Sequence, residues 1–291
     1  SFDEYESAVF LACCCGFTDP TNFEGFATDI VAEQLQLFPS TTEDTRLRFF
    51  LIAFLISINV TDHRLILDAA STYISIIGSK RTRNGEFTPK IISEAINGLG
   101  LIISSLPPEV VQENFLQSLN EIFPVITRSF NKKVLEATAT LIVTVHSILL
   151  DVDEGEAHSF CYANRPRLQN LNKNVKKKAT ASEVELISRK MIEHLEGEPL
   201  AETIILKDQE ILVSGAHQIT ILAGLRRITR HYFQTVFSSN EFLHEMFGFA
   251  LRSQHYAQRM KKMNKEKNTV ARDSNRRERE RTIAKKRKNK A

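Results

Sequence analysis

A chain of 291 residues with 42% apolar residues can bury a sizeable core, as one extended or two compact domains. Only 11 Gly and 8 Pro punctuate it, which argues against a turn-rich β-sandwich and favours long uninterrupted elements. The formal charge of +3 is segregated: Arg252 to Ala291 holds 16 Lys/Arg against 4 Asp/Glu, Arg165 to Lys178 holds 6 basic residues and no acid, and the remainder is left at −15.

The elements read as helix after helix. Ser1 to Phe17 is helical from its first residue, so the chain is expected to begin inside a longer protein; Gly16 stops this helix. Phe23 to Phe38 follows and ends at Pro39. Ser40 to Thr42 supply N-cap candidates for a helix over Glu43 to Asn59. Thr61-Asp62 caps the next, which reaches Gly78. Thr88-Pro89 opens another that ends near Leu106, with Pro at the first helical position. Glu109 to Phe123 and Asn131 to Leu150 complete the series. Each segment is apolar on more than one face, as expected of a helix packed between neighbours. The predicted fold is therefore all-α, an armadillo/HEAT-like α-solenoid over 1–150 with degenerate repeats, a compact bundle being the alternative.

The pattern changes after Leu150. Residues 151–181 read as a linker, acidic over Asp151 to Glu156 and then basic and Asn-rich. Residues 182–250 read as a small C-terminal helical unit: Ser182-Glu183 caps a helix to Leu195, Thr203 to Val213 forms one short β-hairpin, and helices span Ala216 to Val236 and Asn240 to Phe249. Residues 251–291 form a basic C-terminal helix or arm. No signal peptide or membrane span is read; Phe49 to Ile58, the most apolar run, is too short to cross a bilayer.

No P-loop, G-x-S-x-G or H-E-x-x-H occurs, and the eight His are scattered, so no catalytic residue set is assigned. Three consecutive cysteines, Cys13, Cys14 and Cys15, together with Cys161 give neither a disulfide framework nor a zinc spacing. Free thiols in a reducing compartment, with no metal and no cofactor, are expected. The basic stretches carry the functional signal. Arg forks grip phosphates bidentately, Lys adds point charge, and an arm without bulky apolar groups folds only when phosphates neutralise it. The candidate RNA-contacting residues are Arg165, Arg167, Lys173, Lys176, Lys177 and Lys178 in the first stretch. In the arm they are Arg259, Lys261, Lys262, Lys265, Lys267, Arg272, Arg276, Arg277, Arg279, Arg281, Lys285, Lys286, Arg287 and Lys288.

Asn240-Glu241-Phe242-Leu243-His244-Glu245-Met246-Phe247-Gly248 resembles a segment of the interferon-related developmental regulator family. Pro199, Glu202, Ile204, Glu210, Leu212 and Ser214 fall in the order of that family's short strand-like unit. The basic stretch ending at Lys178 stands where the family has Lys/Arg, and Arg259-Met260 and Asn268-Thr269-Val270-Ala271-Arg272 resemble the opening of its basic tail. Two departures are Gly215, where the family has tryptophan, and Asp273 within the tail. The resemblance covers Asn170 to Ala291 and implies a ribosome-binding factor. Its helical body would occupy tRNA sites on the small subunit, touching rRNA and ribosomal proteins. Its arm would enter the mRNA channel and hold the ribosome in hibernation. That reading is cytoplasmic and needs no membrane and no small-molecule substrate. The alternatives are a nuclear helical scaffold or transcriptional co-regulator whose tail is a localisation signal, and, third, an enzyme with an unrecognised site.

Overall fold

The computed structural model describes residues 2–16, 19–37, 46–79, 81–82, 85–86, 88–128, 131–175, 191–198, 200–206 and 209–249. Eight helices come first among these: α1 (Phe2–Gly16), α2 (Pro20–Leu37), α3 (Arg46–Asn59), α4 (His63–Ser79), α5 (Pro89–Ser104), α6 (Pro108–Ile126), α7 (Lys132–Leu150) and α8 (Glu154–Val175). Their starts follow local chemistry. The Asp62 carboxylate accepts the Arg64 N–H at 2.9 Å, and Asn131 Oδ1 accepts from Lys133 and Val134 at 3.0 and 3.4 Å. Each satisfies backbone donors that a helix N-terminus leaves open. Thr88 precedes Pro89 but makes no side-chain cap; proline's fixed φ suffices there. α6 runs past Pro124 to Ile126, where the sequence reading stops at Phe123. The carbonyl that Pro124 deprives of a donor belongs to Asn120, an exposed residue.

The order of packing fixes the core. α3 packs on α1, α2 and α5; α5 packs on α3, α4 and α7; α6 packs on α4 and α7; α8 packs on α7. α3 and α5 are consequently apolar nearly all round. Phe49, Ile52, Phe54, Ile96 and Leu99 are fully buried, each stabilising the fold by ~1.5–3 kcal/mol. Tyr73 of α4 meets Phe49 edge-on, with ring centroids 5.8 Å apart, and donates its hydroxyl to the Phe49 carbonyl. Gly98 of α5 makes room for that ring: a Cβ there would stand 2.6 Å from Tyr73 Cε1. α7 is long and apolar enough to cross a membrane, which the sequence reading passed over, but 72% of its apolar window is buried in this core.

Two short antiparallel pairs interrupt the helices. β1 (Arg81–Thr82) and β2 (Gly85–Glu86) are two residues each and were not expected. β3 (Ala201–Leu206) and β4 (Gln209–Ser214) form the expected hairpin, paired from Ala201↔Ser214 to Leu206↔Gln209. Ile204, Leu206, Ile211 and Val213 point inward while Thr203, Ile205, Glu210 and Leu212 face out, the period-two alternation of a half-buried sheet. Gly215 follows at φ 90° and ψ 153°, a conformation that strains any residue with a Cβ, so tryptophan would fit poorly there. Then come α9 (Ala216–Thr229), a 3₁₀ turn (Arg230–Tyr232), α10 (Phe233–Ser239) and α11 (Glu241–Met246).

Four expectations need correction. Residues 151–181 are not a linker as far as they are described, because α8 occupies 154–175. Asp153 Oδ1 accepts the Glu156 N–H at 3.1 Å, Ala157, Phe160, Asn164 and Leu168 recur at helical spacing, and all four are buried. Part of the polar composition that suggested a loop lies on the outward face, at His158, Ser159 and Arg165. Nor do 1–150 and 182–250 form separate domains: the described residues up to Phe247 belong to one compact unit. α9 packs against α3, α5 and α7. Gly224 lets it approach so closely that a Cβ would stand 2.6 Å from Phe54, and the hydroxyls of Thr220 and Ser104 lie 2.7 Å apart. The predicted helix Ala216 to Val236 is likewise broken at Arg230, and Asn240 to Phe249 shortens to Glu241–Met246.

Candidate nucleic-acid interface

The first basic stretch lies largely on a helix. Tyr162, Arg165 and Gln169 fall at i, i+3 and i+7 of α8, on one exposed face away from the buried side. Tyr162 is 86% exposed, an aromatic ring standing clear of the body. Arg165 forms an ion pair with Glu196, and both side chains are nearly half exposed, so the pair is worth no more than ~1 kcal/mol and can exchange for a phosphate. Arg167 donates from Nη1 to Asn164 Oδ1 at 2.5 Å, and its partial burial pushes its pKa down from the ordinary arginine value. Asn164 in turn donates to the Phe160 carbonyl at 2.9 Å. The structure thus pairs Arg165 with Glu196 and Arg167 with Asn164, on different faces of α8. Lys173 is placed by its backbone only, and Lys176, Lys177 and Lys178 lie outside the described residues.

Every arm residue singled out from the sequence also lies outside the described residues: Arg259, Lys261, Lys262, Lys265, Lys267, Arg272, Arg276, Arg277, Arg279, Arg281, Lys285, Lys286, Arg287 and Lys288. So do Pro199 and most of the helix expected over Ser182 to Leu195, of which 191–195 is helical.

The segment that carries the family resemblance has a structural part in this chain. Asn240 Oδ1 accepts the Leu243 N–H at 2.9 Å and caps α11. Leu243 and Phe247 are buried, Phe247 against Phe237 with centroids 5.0 Å apart, and Gly248 takes φ 65° as the helix ends.

Sequence reasoning missed a third basic region. Residues 215–240 contain Arg226, Arg227 and Arg230 and no Asp or Glu, a signal visible in the sequence but weaker than a Lys run. Arg226 pairs with Glu202 at 2.6 Å and lies over the Phe233 ring; Arg227 pairs with Glu94 at 2.5 Å and lies 4.1 Å from the Phe50 centroid. Arg227 also edges a cavity of about 260 Å³ between α3, α5, α7 and α9, lined mainly by Leu101, Val143, Ile219 and other apolar side chains. Among the described residues no three His, Cys, Asp or Glu side chains converge as a metal site would require. Comparison with the models of known protein families and with curated proteins returns no match to this chain.

Proposed function

We propose that the protein is a ribosome-binding factor that silences idle ribosomes by occlusion. Its helical body, of armadillo/HEAT-like solenoid type, occupies tRNA sites on the small subunit. Its arm from Arg259 to Lys288 threads the mRNA channel. It acts without catalysis, metal or cofactor, and works in the cytoplasm.

The observation that carries this reading is the segregation of charge: 16 Lys/Arg against 4 Asp/Glu in the last forty residues, on a body that is otherwise acidic. A phosphate-lined channel is a strongly negative, narrow space that favours a cationic strand without bulky apolar side chains. The neighbour order of the helices supports the solenoid: α1, α3, α5 and α7 follow one another in contact, and α4 joins α6 beside them. The resemblance of Asn240 to Gly248 points the same way. The test is co-sedimentation of the full chain with 80S particles. Retention that falls when Lys265 to Ala291 is removed supports the proposal; absence of the full chain from the particle fraction sinks it. Lys285-Lys286-Arg287-Lys288 also favours a second reading, a nuclear scaffold with an import signal. In that case changing these four residues moves the protein out of the nucleus and leaves ribosome association untouched.

A further inference from the structure

We infer that the turn Arg230-His231-Tyr232 is a second RNA contact, in which Arg230 holds a phosphate and the exposed Tyr232 ring stacks on an unpaired base. This inference rests on the RNA-binding reading above but concerns a site on the folded body, ahead of the arm in the chain.

The backbone gives the first argument. Arg230 sits at φ 49° and ψ −120°, a conformation that glycine usually supplies. It is the one non-glycine residue with positive φ among the described residues. The strain is held on both sides, since the Arg230 N–H still donates to the Arg226 carbonyl and the Phe233 N–H donates to the Arg230 carbonyl. Strain of this kind costs ~1–3 kcal/mol, and it persists where a side chain is required that glycine cannot supply.

Charge gives the second. Of the three arginines in residues 215–240, two are neutralised by acids from elsewhere, Arg226 by Glu202 of β3 and Arg227 by Glu94 of α5. Arg230 and His231 are exposed, and neither has an acidic partner among the described residues. A guanidinium held out of a helix end in a segment without acids suits a phosphate.

The rings give the third. His231 and Tyr232 lie with centroids 4.0 Å apart and ring planes inclined at 45°, and Tyr232 is 61% exposed. His231 braces the Tyr232 ring, whose exposed face can take a base, and stacking is indifferent to base identity. A cation beside an exposed aromatic pair fits single-stranded RNA better than an acidic peptide, which would have no use for the rings.

The test uses the full chain and an unstructured oligouridylate carrying 4-thiouracil, cross-linked with near-ultraviolet light and mapped after trypsin digestion. A cross-link in the segment His231–Arg252 is expected, besides those in the arm. Tyr232→Ala should reduce it about fivefold or more. Arg230→Gly, which removes the cleavage site and extends the segment back to Ile228, should reduce it similarly while leaving the melting temperature unchanged or raised, because glycine relieves the strained φ. Arg230→Lys should retain most of it. Cross-links confined to the arm, or persisting in both variants, or falling only where the melting temperature falls, would overturn the inference. If the chain cross-links at this turn yet never sediments with ribosomes, the ribosome reading fails and the turn stands.

Discussion

Gly98→Ala should destabilise the protein although alanine is the better helix former. Gly98 lies inside α5, where a Cβ would stand 2.6 Å from Tyr73 Cε1, 3.0 Å from Ala53 Cβ and 3.1 Å from the Phe49 carbonyl oxygen. Carbon atoms pack comfortably at ~3.5–4.0 Å, so the Tyr73 ring must retreat by about 1 Å. It has nowhere to go: Tyr73, Ala53 and Phe49 are all fully buried, and the Tyr73 hydroxyl is tied to Phe49. Overpacking of this kind costs ~1–3 kcal/mol, and loosening the hydroxyl's bond adds about 1 kcal/mol. The helix-propensity gain of about 1 kcal/mol offsets part of this, leaving a net loss of roughly 1–3 kcal/mol. Gly25→Ala in α2 is the matched control. Nothing lies within 4 Å of its added Cβ, and it should stabilise by about 0.5–1 kcal/mol. Urea unfolding followed by circular dichroism reads both. The packing account is wrong if Gly98→Ala unfolds at the same urea concentration as Gly25→Ala or at a higher one.

Acid should weaken the fold before the carboxylates titrate. Burial pushes the His146 imidazole pKa below its ordinary value, with His158 adding to the effect, and burial does the same to His217 against an opposing backbone hydrogen bond at Ser104. A lowered folded-state pKa means that the unfolded chain binds protons first, so stability is complete above about pH 6.5 and falls as pH drops toward the folded values. His146→Gln should flatten the decline in melting temperature between about pH 7 and pH 5, and an unchanged slope would contradict this. The cysteines should separate by reactivity: Cys15 is exposed, whereas Cys13 is buried, donates to the Leu51 carbonyl at 3.3 Å and has its thiol pKa pushed far up by desolvation. Maleimide should label Cys15 in the native protein and Cys13 only after unfolding; equal native rates would refute the placement of α1 on α3.

Much of the helical order is legible in the sequence because punctuation and burial agree. Asp62 reads as a cap and acts as one, and Pro89 reads as a first helical residue and is one. The hairpin is legible because its apolar residues alternate. What composition hid was governed by surroundings. α8 looks like a loop because its composition is polar and asparagine-rich, while Ala157, Phe160 and Leu168 on one face bury against the body. The break at Arg230 carries no glycine or proline to announce it, so residues 216–236 read as one helix. The docking of α9 depends on Gly224, whose small size matters only because Phe54 lies opposite. Of the candidate site, Arg165 and Arg167 are on an exposed helix, but their partners Glu196 and Asn164 could not be foreseen, since one is distant in sequence and the other looks like part of a polar run.

The salt dependence of RNA binding tests most directly whether the arm is the grip. If about eight phosphates are neutralised, log affinity should fall with log salt at a slope near −6, taking about −0.7 per phosphate for single-stranded or irregular RNA. The assay compares the full chain with one lacking Lys265 to Ala291, on idle ribosomes, across roughly 50 to 200 mM salt. Our account predicts that deletion removes most of the slope and weakens association strongly. Unchanged affinity with an unchanged slope would contradict it, and would assign the grip to the folded body.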